Sequence, residues 1–196
     1  MAICLDTLHT LDLGVTCHII GNVLWELLEA MPQSRDVAMK LLNEQIQRKY
    51  AELGVPAAER MHSIAHKELR KKATDYPILK HQKGARVRKF VPVLYLLAEE
   101  ATESHHDQQR LELLKGLKDM YECLEEKTVY RWNVGLRAKF DNACSKTLKH
   151  YNWLASQRKF SKQRVFVEPS PETPLDPAPA RPSKMASPLP LLDLWL

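Results

Sequence analysis

The chain is poor in glycine and phenylalanine, with six residues of the first type and four of the second among 196. Strand-rich sandwiches depend on frequent tight turns and on aromatic strand residues, so this scarcity argues against such folds. Runs of Leu, Ala, Lys, Glu, Gln and Arg favour helix instead. With 44% apolar residues, the length suffices for one domain with a proper core and hardly for two. The sequence therefore predicts an all-α fold.

Paired cysteines and targeting segments are also lacking. Cys4, Cys17, Cys123 and Cys144 are scattered without a Cys-x-x-Cys motif, which favours reduced thiols in an intracellular protein. The first residues lack the basic start of a signal peptide. The longest apolar run, residues 90–98, is too short to span a bilayer. We therefore expect an intracellular protein that does not associate with membranes.

The net charge of +5 conceals alternating blocks along the chain. Residues 1–59 carry −4, residues 60–90 carry +8, residues 91–128 carry −5, and residues 129–160 carry +6. Such blocks neutralise each other across helix contacts, or they leave two basic surfaces for a phosphate backbone. Both interpretations stay open at this point.

A wide apolar face predicts a central helix from about Leu11 to Met31, which Pro32 ends. Two adjacent apolar rows indicate that neighbours pack on much of its circumference. A further face carries Gly14 and Gly21, where a neighbouring backbone can approach closely. The two rows consist of Leu11, Val15, Ile19, Val23 and Leu27, and of Ile20, Leu24, Leu28 and Met31.

Further helices complete an irregular bundle of five or six. Ser34 is a candidate N-cap for a second helix, and Gly54 suits its C-terminal cap. Pro56 opens a short helix that runs through Lys72. A helix from about Gly84 contains Pro92, so it is kinked there or begins near Val91.

Two longer helices follow, over residues 104–127 and about 128–158. The first has a stripe of Leu111, Leu114, Leu117, Tyr121 and Leu124. The second is expected to bury Trp132, Leu136, Phe140, Ala143, Thr147, Tyr151 and Leu154. We therefore place one helical domain at residues 1–159.

Residues 160–196 differ from the rest in composition. Eight of the twelve prolines lie from Pro169 onward. A proline-rich stretch without a periodic apolar face cannot bury enough surface to fold, so we expect a disordered tail. The apolar residues Leu189–Leu196 at its end form a short docking peptide or simply belong to a random tail.

Several acidic and histidine residues are candidates for metal chemistry. Asp6 and His9 share a helix face, and with Asp12 they could hold one metal ion; helix capping by Asp6 is the simpler interpretation. His62 and His66 have helical spacing but no third ligand nearby in sequence, and His105-His106 has no evident partner. We expect no metal and no cofactor. The sequence has no Gly-rich phosphate loop, Ser/His/Asp arrangement or Cys/His finger.

Basic residues form the clearest candidate binding surface. On the last helix, four of them fall within an arc of roughly 80°, with Trp153 on the same side. A cationic stripe with an aromatic residue can follow a nucleic-acid backbone, although a lysine-rich face is also what an amphipathic helix shows to water. The predicted nucleic-acid-binding residues are Arg70, Lys71, Lys72, Arg86, Arg88, Lys89, Arg131, Lys139, Lys146 and Lys149.

The segment Leu5-Asp-Thr-Leu-His-Thr-Leu-Asp-Leu-Gly14 resembles the Asp/Cys-x-x-His signature of several superfamilies of DDE cut-and-paste DNA transposases. The resemblance is greatest to CACTA-like and related transposase-derived proteins of eukaryotic mobile elements. Residues 83–94 and 148–155 are also similar to the helical insertion of such proteins. The resemblance covers about residues 1–158.

This resemblance implies an origin in an enzyme that holds two divalent metals on two Asp and one Glu. Asp6 and His9 then correspond to an element that supports the site, and both catalytic Asp residues would precede Met1. The catalytic Glu should follow the helical insertion, where this chain has its proline-rich tail. We therefore expect no nuclease or strand-transfer activity from this chain alone.

The sequence predicts a truncated, catalytically inactive, transposase-derived module with weak, non-specific nucleic-acid binding. DNA is the expected partner, and the transposase origin implies a nuclear location. A protein-interaction scaffold, which would use exposed helices or Leu189–Leu196, is the alternative. An open reading frame without selected function is a further interpretation.

Overall fold

The computed structural model describes residues 8–72, 75–126 and 133–157. Six α-helices account for most of these residues, and none of them lies in a strand, which confirms the predicted all-α bundle. The helices are α1 (Thr16–Ala30), α2 (Arg35–Glu52), α3 (His66–Leu69), α4 (Gly84–Glu100), α5 (His105–Glu125) and α6 (Val134–Ser156). A π-helix, Leu8–Val15, leads directly into α1, and a 3-10 turn spans Ala57–Glu59. The predicted disordered tail lies outside the described residues.

Helix α1 is the core helix that its two apolar rows predict. Ile19, Ile20, Val23 and Leu24 have no exposed surface. The helix ends at Ala30, two residues before Pro32, as expected. Its start differs from the prediction, because the chain forms wider π turns up to Val15 before the α-helix begins.

The segment Thr10–Ala30 is long and apolar enough, by length and composition alone, to cross a membrane. Of the most apolar 18-residue window in this segment, 72% is buried inside the protein. The buried core helix of a globular domain has the same length and composition. The length and composition of this segment are therefore weak evidence for a membrane span.

An extended segment crosses α1 at Gly21, as the glycine face predicts. A Cβ atom added to Gly21 would lie 2.6 Å from the backbone nitrogen of Ile78. Leu79 N–H donates to the Cys17 carbonyl at 3.0 Å, and the Asn22 side chain donates to the Pro77 carbonyl at 3.3 Å. These contacts fix the segment after residue 75 against the core helix.

The predicted continuous helix from Pro56 to Lys72 is wrong. Between the 3-10 turn and the four-residue α3, the chain is extended and its backbone bonds to side chains of α2. Asn43 accepts from Ile64 N–H at 2.9 Å and donates to its carbonyl at 2.8 Å. The Tyr50 hydroxyl accepts from Met61 N–H at 3.2 Å. These bonds replace the i−4 partners that a helix would have supplied.

Helix α4 begins at Gly84 and includes Pro92, which excludes the alternative start near Val91. Gly54 has a φ of +65°, the left-handed conformation expected just after α2. Ser34 occupies the N-cap position of α2, but its side chain makes no capping hydrogen bond. Ser104 does cap α5, because its hydroxyl accepts from Asp107 N–H at 3.2 Å.

Helices α5 and α6 pack closely against each other. A Cβ atom on Gly116 would lie 2.6 Å from the Thr147 hydroxyl and 3.1 Å from the Thr147 nitrogen. The predicted buried stripe of α6 is confirmed at every position that the structure describes; Trp132 lies outside those positions. The buried residues are Leu136, Phe140, Ala143, Thr147, Tyr151 and Leu154.

Candidate functional site

The acidic residues near the N-terminus do not form an exposed site in the described part of the chain. Asp6 lies outside the described residues, and the side chain of His9 is likewise not described. Asp12 has no exposed surface and receives a hydrogen bond on each carboxylate oxygen. Arg88 Nε donates to Oδ2 at 2.8 Å, and the Tyr121 hydroxyl donates to Oδ1 at 2.9 Å.

The geometry of this buried hydrogen-bond network indicates that it stabilises the fold. Burial raises the pKa of Tyr121 well above its usual value, so the phenol stays protonated and donates a hydrogen bond to Asp12. The Thr16 hydroxyl lies 2.8 Å from the Tyr121 oxygen. The hydrogen bond with Asp12 raises the pKa of Arg88, although partial burial opposes the shift. Arg88 is thus held by Asp12 and does not join the predicted basic surface.

The histidines that are close in sequence have different partners in the fold. His62 Nε2 is 2.6 Å from Arg86 Nη1, whereas His66 Nδ1 is 3.1 Å from Asp36. His106 Nε2 is 3.1 Å from each oxygen of Glu26, a partner that its sequence context did not suggest. Across residues 8–72, 75–126 and 133–157, no group of three or more His, Cys, Asp or Glu side chains converges as a metal site would require.

The basic stripe predicted on α6 is only partly free in the structure. Lys146 pairs with Glu112 of α5 at 2.6 Å. The Trp153 ring packs on His105, with centroids 5.2 Å apart and the rings perpendicular. Lys139 and Lys149 are exposed, and Arg131 lies outside the described residues. The aromatic residue expected to face a nucleic acid therefore packs against the start of α5.

The basic residues at the start of α4 are also engaged. Arg86 Nη1 contacts His62, and its Nη2 donates to the Ala58 carbonyl at 3.3 Å. Lys89 Nζ lies 3.5 Å from Glu125 on α5, a pair that is exposed on both sides. Arg86 and Lys89 thus contact other parts of the fold. Their charges are therefore less available to an external anion.

The structure brings Arg70, Lys71 and Lys72 together with two basic residues that the prediction omitted, Arg35 and Lys67. They surround a cavity of about 450 Å³, which we call the Trp25 cavity. Its lining consists of Trp25, Glu29, Arg35, His66, Lys67, Arg70, Lys71 and Lys72. Helix α1, the N-terminus of α2, and α3 with the residues after it supply these side chains. Five of the eight lining residues are Lys or Arg.

Two guanidinium groups lie over the Trp25 ring at the wall of this cavity. The Cζ atoms of Arg35 and Arg70 each lie 5.1 Å from the centroid of the Trp25 ring. Arg70 Nε donates to the Lys72 carbonyl at 3.0 Å, which orients the arginine. Glu29 is the carboxylate in the lining and lies 3.9 Å from Arg35. This arrangement concentrates positive charge around a concave surface.

Sequence reasoning found only part of this cavity. The periodicity of α1 does not indicate that arginines cover Trp25. Arg35 is remote from the basic block at residues 60–90 in sequence and joins it only because α2 starts close to the end of α1. A basic residue directly after a candidate N-cap is too common to serve as a signal.

Comparison of the chain with protein-family models, with curated proteins and with solved structures finds no match.

Proposed function

We propose that this chain is a helical nucleic-acid-binding module that contacts the phosphate backbone without sequence specificity. The observation that carries the proposal is the grouping of five cationic side chains around the Trp25 cavity. In the described part of the chain, Lys67, Arg70, Lys71 and Lys72 form no ion pair with a carboxylate. Their charge is available to an external anion.

The physical basis of binding is electrostatic. Each phosphate that a lysine or arginine neutralises releases condensed counterions, so affinity falls as salt rises. Four or five such contacts correspond to a slope of about −4 in log affinity against log salt. The side chains of Lys and Arg at this cavity recognise charge and not base edges, so little sequence preference follows.

The experiment is a salt titration of binding to duplex and single-stranded DNA by fluorescence anisotropy. We expect the double variant Lys71→Glu/Lys72→Glu to lose about tenfold or more in affinity and to show a smaller slope. The matched control is Lys40→Glu/Lys115→Glu, the same charge change on exposed lysines of α2 and α5, which should lose less than about twofold at the same salt. Equal losses in the two variants, or affinity independent of salt, would contradict the proposal.

The descent from a DDE transposase remains a proposal that rests on residues 5–14 and the weaker similarity of residues 83–94 and 148–155. The binding proposal does not depend on it. The absence of catalysis is likewise part of the transposase-derived proposal, with no bearing on whether the Trp25 cavity binds phosphate.

A protein-interaction scaffold is a second candidate, supported by an apolar groove between the end of α1, α2 and the end of α4. The groove has a volume of about 610 Å³, and its lining includes Leu27, Met31, Pro32, Leu41 and Leu97. Leu41 keeps 37% of its surface exposed there. Loss of a binding partner in a Leu41→Glu variant, or after deletion of residues 160–196, would favour this function over nucleic-acid binding.

A further inference from the structure

We infer that the Trp25 cavity is a binding site for a phosphate monoester dianion, carried either by a free nucleotide or by the terminal phosphate of a nucleic-acid strand. The inference deepens the proposed function and rests on its assignment of this cavity to phosphate. The proposed function requires only contacts with internal diesters along a backbone. A monoester site would in addition prefer the phosphorylated end of a strand, or a small ligand such as a nucleotide, to an internal phosphate.

The shape of the cavity favours a group that can enter it. The walls come from α1, from the first turn of α2 and from residues 66–72, which enclose about 450 Å³. This volume lies within the range of about 300–1,000 Å³ that is typical of small-ligand pockets. An internal diester has a sugar on both sides and stays at the rim, whereas a terminal phosphate or a mononucleotide can occupy the recess.

The charge of the lining matches a dianion. The lining contains five cationic side chains and one carboxylate, that of Glu29. The His66 ring also lines the cavity, and its Nδ1 atom lies 3.1 Å from Asp36. A phosphate monoester carries about −1.5 to −2 charges at pH 7, against −1 for a diester. Arginine guanidinium groups bind phosphate oxygens in bidentate fashion, and Arg35 and Arg70 lie on the same tryptophan ring.

One buried donor in the lining lacks an acceptor, and one helix begins at the cavity without a side-chain cap. Trp25 is only 4% exposed, and its indole N–H is buried without a hydrogen-bond partner among the described residues. The first turn of α2 receives no capping hydrogen bond from the Ser34 side chain. Buried donors are usually satisfied, and helix N-termini attract anions through their N–H groups and dipole. An oxygen-bearing anion at the start of α2 would complete the cap that Ser34 does not provide, whereas the indole N–H has no surface that a ligand in the cavity could contact.

The same geometry excludes recognition of the base by Trp25. Two guanidinium groups already lie over its ring, and the residue is almost fully buried. A nucleobase therefore cannot stack on this indole. The site distinguishes ligands by their phosphate, and we expect no preference among bases.

The test uses Trp25 fluorescence in a chain whose other tryptophans, Trp132, Trp153 and Trp195, are changed to Phe. Its far-UV circular dichroism is compared with that of the unmodified chain, and calorimetric titrations of the unmodified chain provide an independent measurement. The probes are AMP, adenosine, and two otherwise identical single-stranded oligonucleotides with a 5′-phosphate or a 5′-hydroxyl. We expect AMP to change the emission and adenosine to have no effect. The 5′-phosphorylated strand should bind at least about fivefold more tightly than its twin. Arg70→Met should remove this advantage, and Lys115→Met, which removes one charge from an exposed lysine of α5, should retain it.

The outcomes separate the two proposals. A response to AMP with equal affinity for the two strands identifies the free nucleotide as the source of the monoester and supports the site. A response to AMP without any strand binding supports the site and contradicts the proposed function. Salt-dependent binding of both strands with equal affinity, without a response to AMP, overturns the monoester inference and leaves the proposed function standing.

Discussion

Arg88 Nε lies 2.8 Å from the Oδ2 atom of Asp12, a carboxylate that has no exposed surface and is 76 residues away in sequence. The pair joins the π-helix to α4, and Tyr121 adds α5 to the same network. A buried carboxylate of this kind is costly unless it is paired and hydrogen-bonded. Arg88, one of the predicted nucleic-acid-binding residues, is therefore a determinant of stability.

We expect Arg88→Met to lower the free energy of unfolding by about 3–5 kcal/mol, because it leaves the Asp12 charge buried without its cation. The matched control is Lys89→Met, which removes an exposed pair at 3.5 Å and should cost less than about 1 kcal/mol. Urea denaturation followed by circular dichroism measures both values. Similar losses for the two variants would show that the Asp12 pair is not the determinant we describe.

Gly21→Ala should destabilise the fold by about 1–3 kcal/mol, because the added methyl group would overlap the backbone of Ile78. Gly135→Ala provides the control, since a Cβ atom there meets only the Asn133 side-chain oxygen at 3.4 Å. Alanine is also the better helix former, so Gly135→Ala should be neutral or stabilising by up to about 1 kcal/mol. Thermal unfolding of the two variants tests the difference, and a harmless Gly21→Ala would argue against the close approach.

Stability should fall in alkaline solution in a way that depends on Cys17. Burial, with a smaller effect of Asp12, raises the pKa of the Cys17 thiol from 9.0 to about 11. Below pH 9 the thiol is protonated in both states, whereas between pH 9 and about 11 the unfolded chain releases the proton first. The free energy of unfolding therefore decreases over that interval, by up to about 1.4 kcal/mol per pH unit from this group.

The comparison for this prediction is Cys17→Ala, measured by urea denaturation at several pH values from 8 to about 10.5. Burial also raises the pKa values of Tyr50 and Cys144 to about 12, so these groups too affect stability at high pH. The difference in slope between the two chains isolates the Cys17 thiol. Parallel pH profiles would mean that Cys17 ionises as readily in the folded protein as in the unfolded chain.

A corresponding acid effect should arise at Asp107. Burial alone would raise the pKa of Asp107, but hydrogen bonds from Ser104 and the charge of Arg110 outweigh it and lower the pKa below 3.8. The carboxylate thus stabilises the fold above its ordinary pKa, and this contribution is lost as the pH falls through the lower, folded value. Asp107→Asn should be less stable than the parent at pH 6 and should flatten the acid limb of its stability profile. An unchanged acid limb would contradict this role.

The parts of the fold that depend on helical periodicity could be predicted from sequence. The two apolar rows of α1 and the buried stripe of α6 follow directly from the spacing of their residues, and Gly21 correctly marks a close backbone approach. The region after Pro56 could not be predicted in the same way. Its extended course depends on bonds to Asn43 and Tyr50, which lie on another helix.

The candidate site was harder to predict, because it depends on which charges find partners within the fold. Arg88 and Lys146 belong to basic blocks, yet Asp12 and Glu112 engage them from distant parts of the sequence. Arg35 comes from an acidic block and joins Arg70 only in the folded chain. The alternating charge blocks of the sequence thus indicate how much charge each segment carries. They do not indicate which charged residues pair with each other in the folded chain.

The way in which α6 packs has a consequence for its motion. Within the described residues, α6 packs chiefly on α5, with Gly116 and Thr147 at their closest approach. Detachment of α6 would therefore leave the layers around α1 largely intact, so its amides should exchange with deuterium through a partial opening that needs less energy than global unfolding. The amides of α1 should be the slowest to exchange in the molecule.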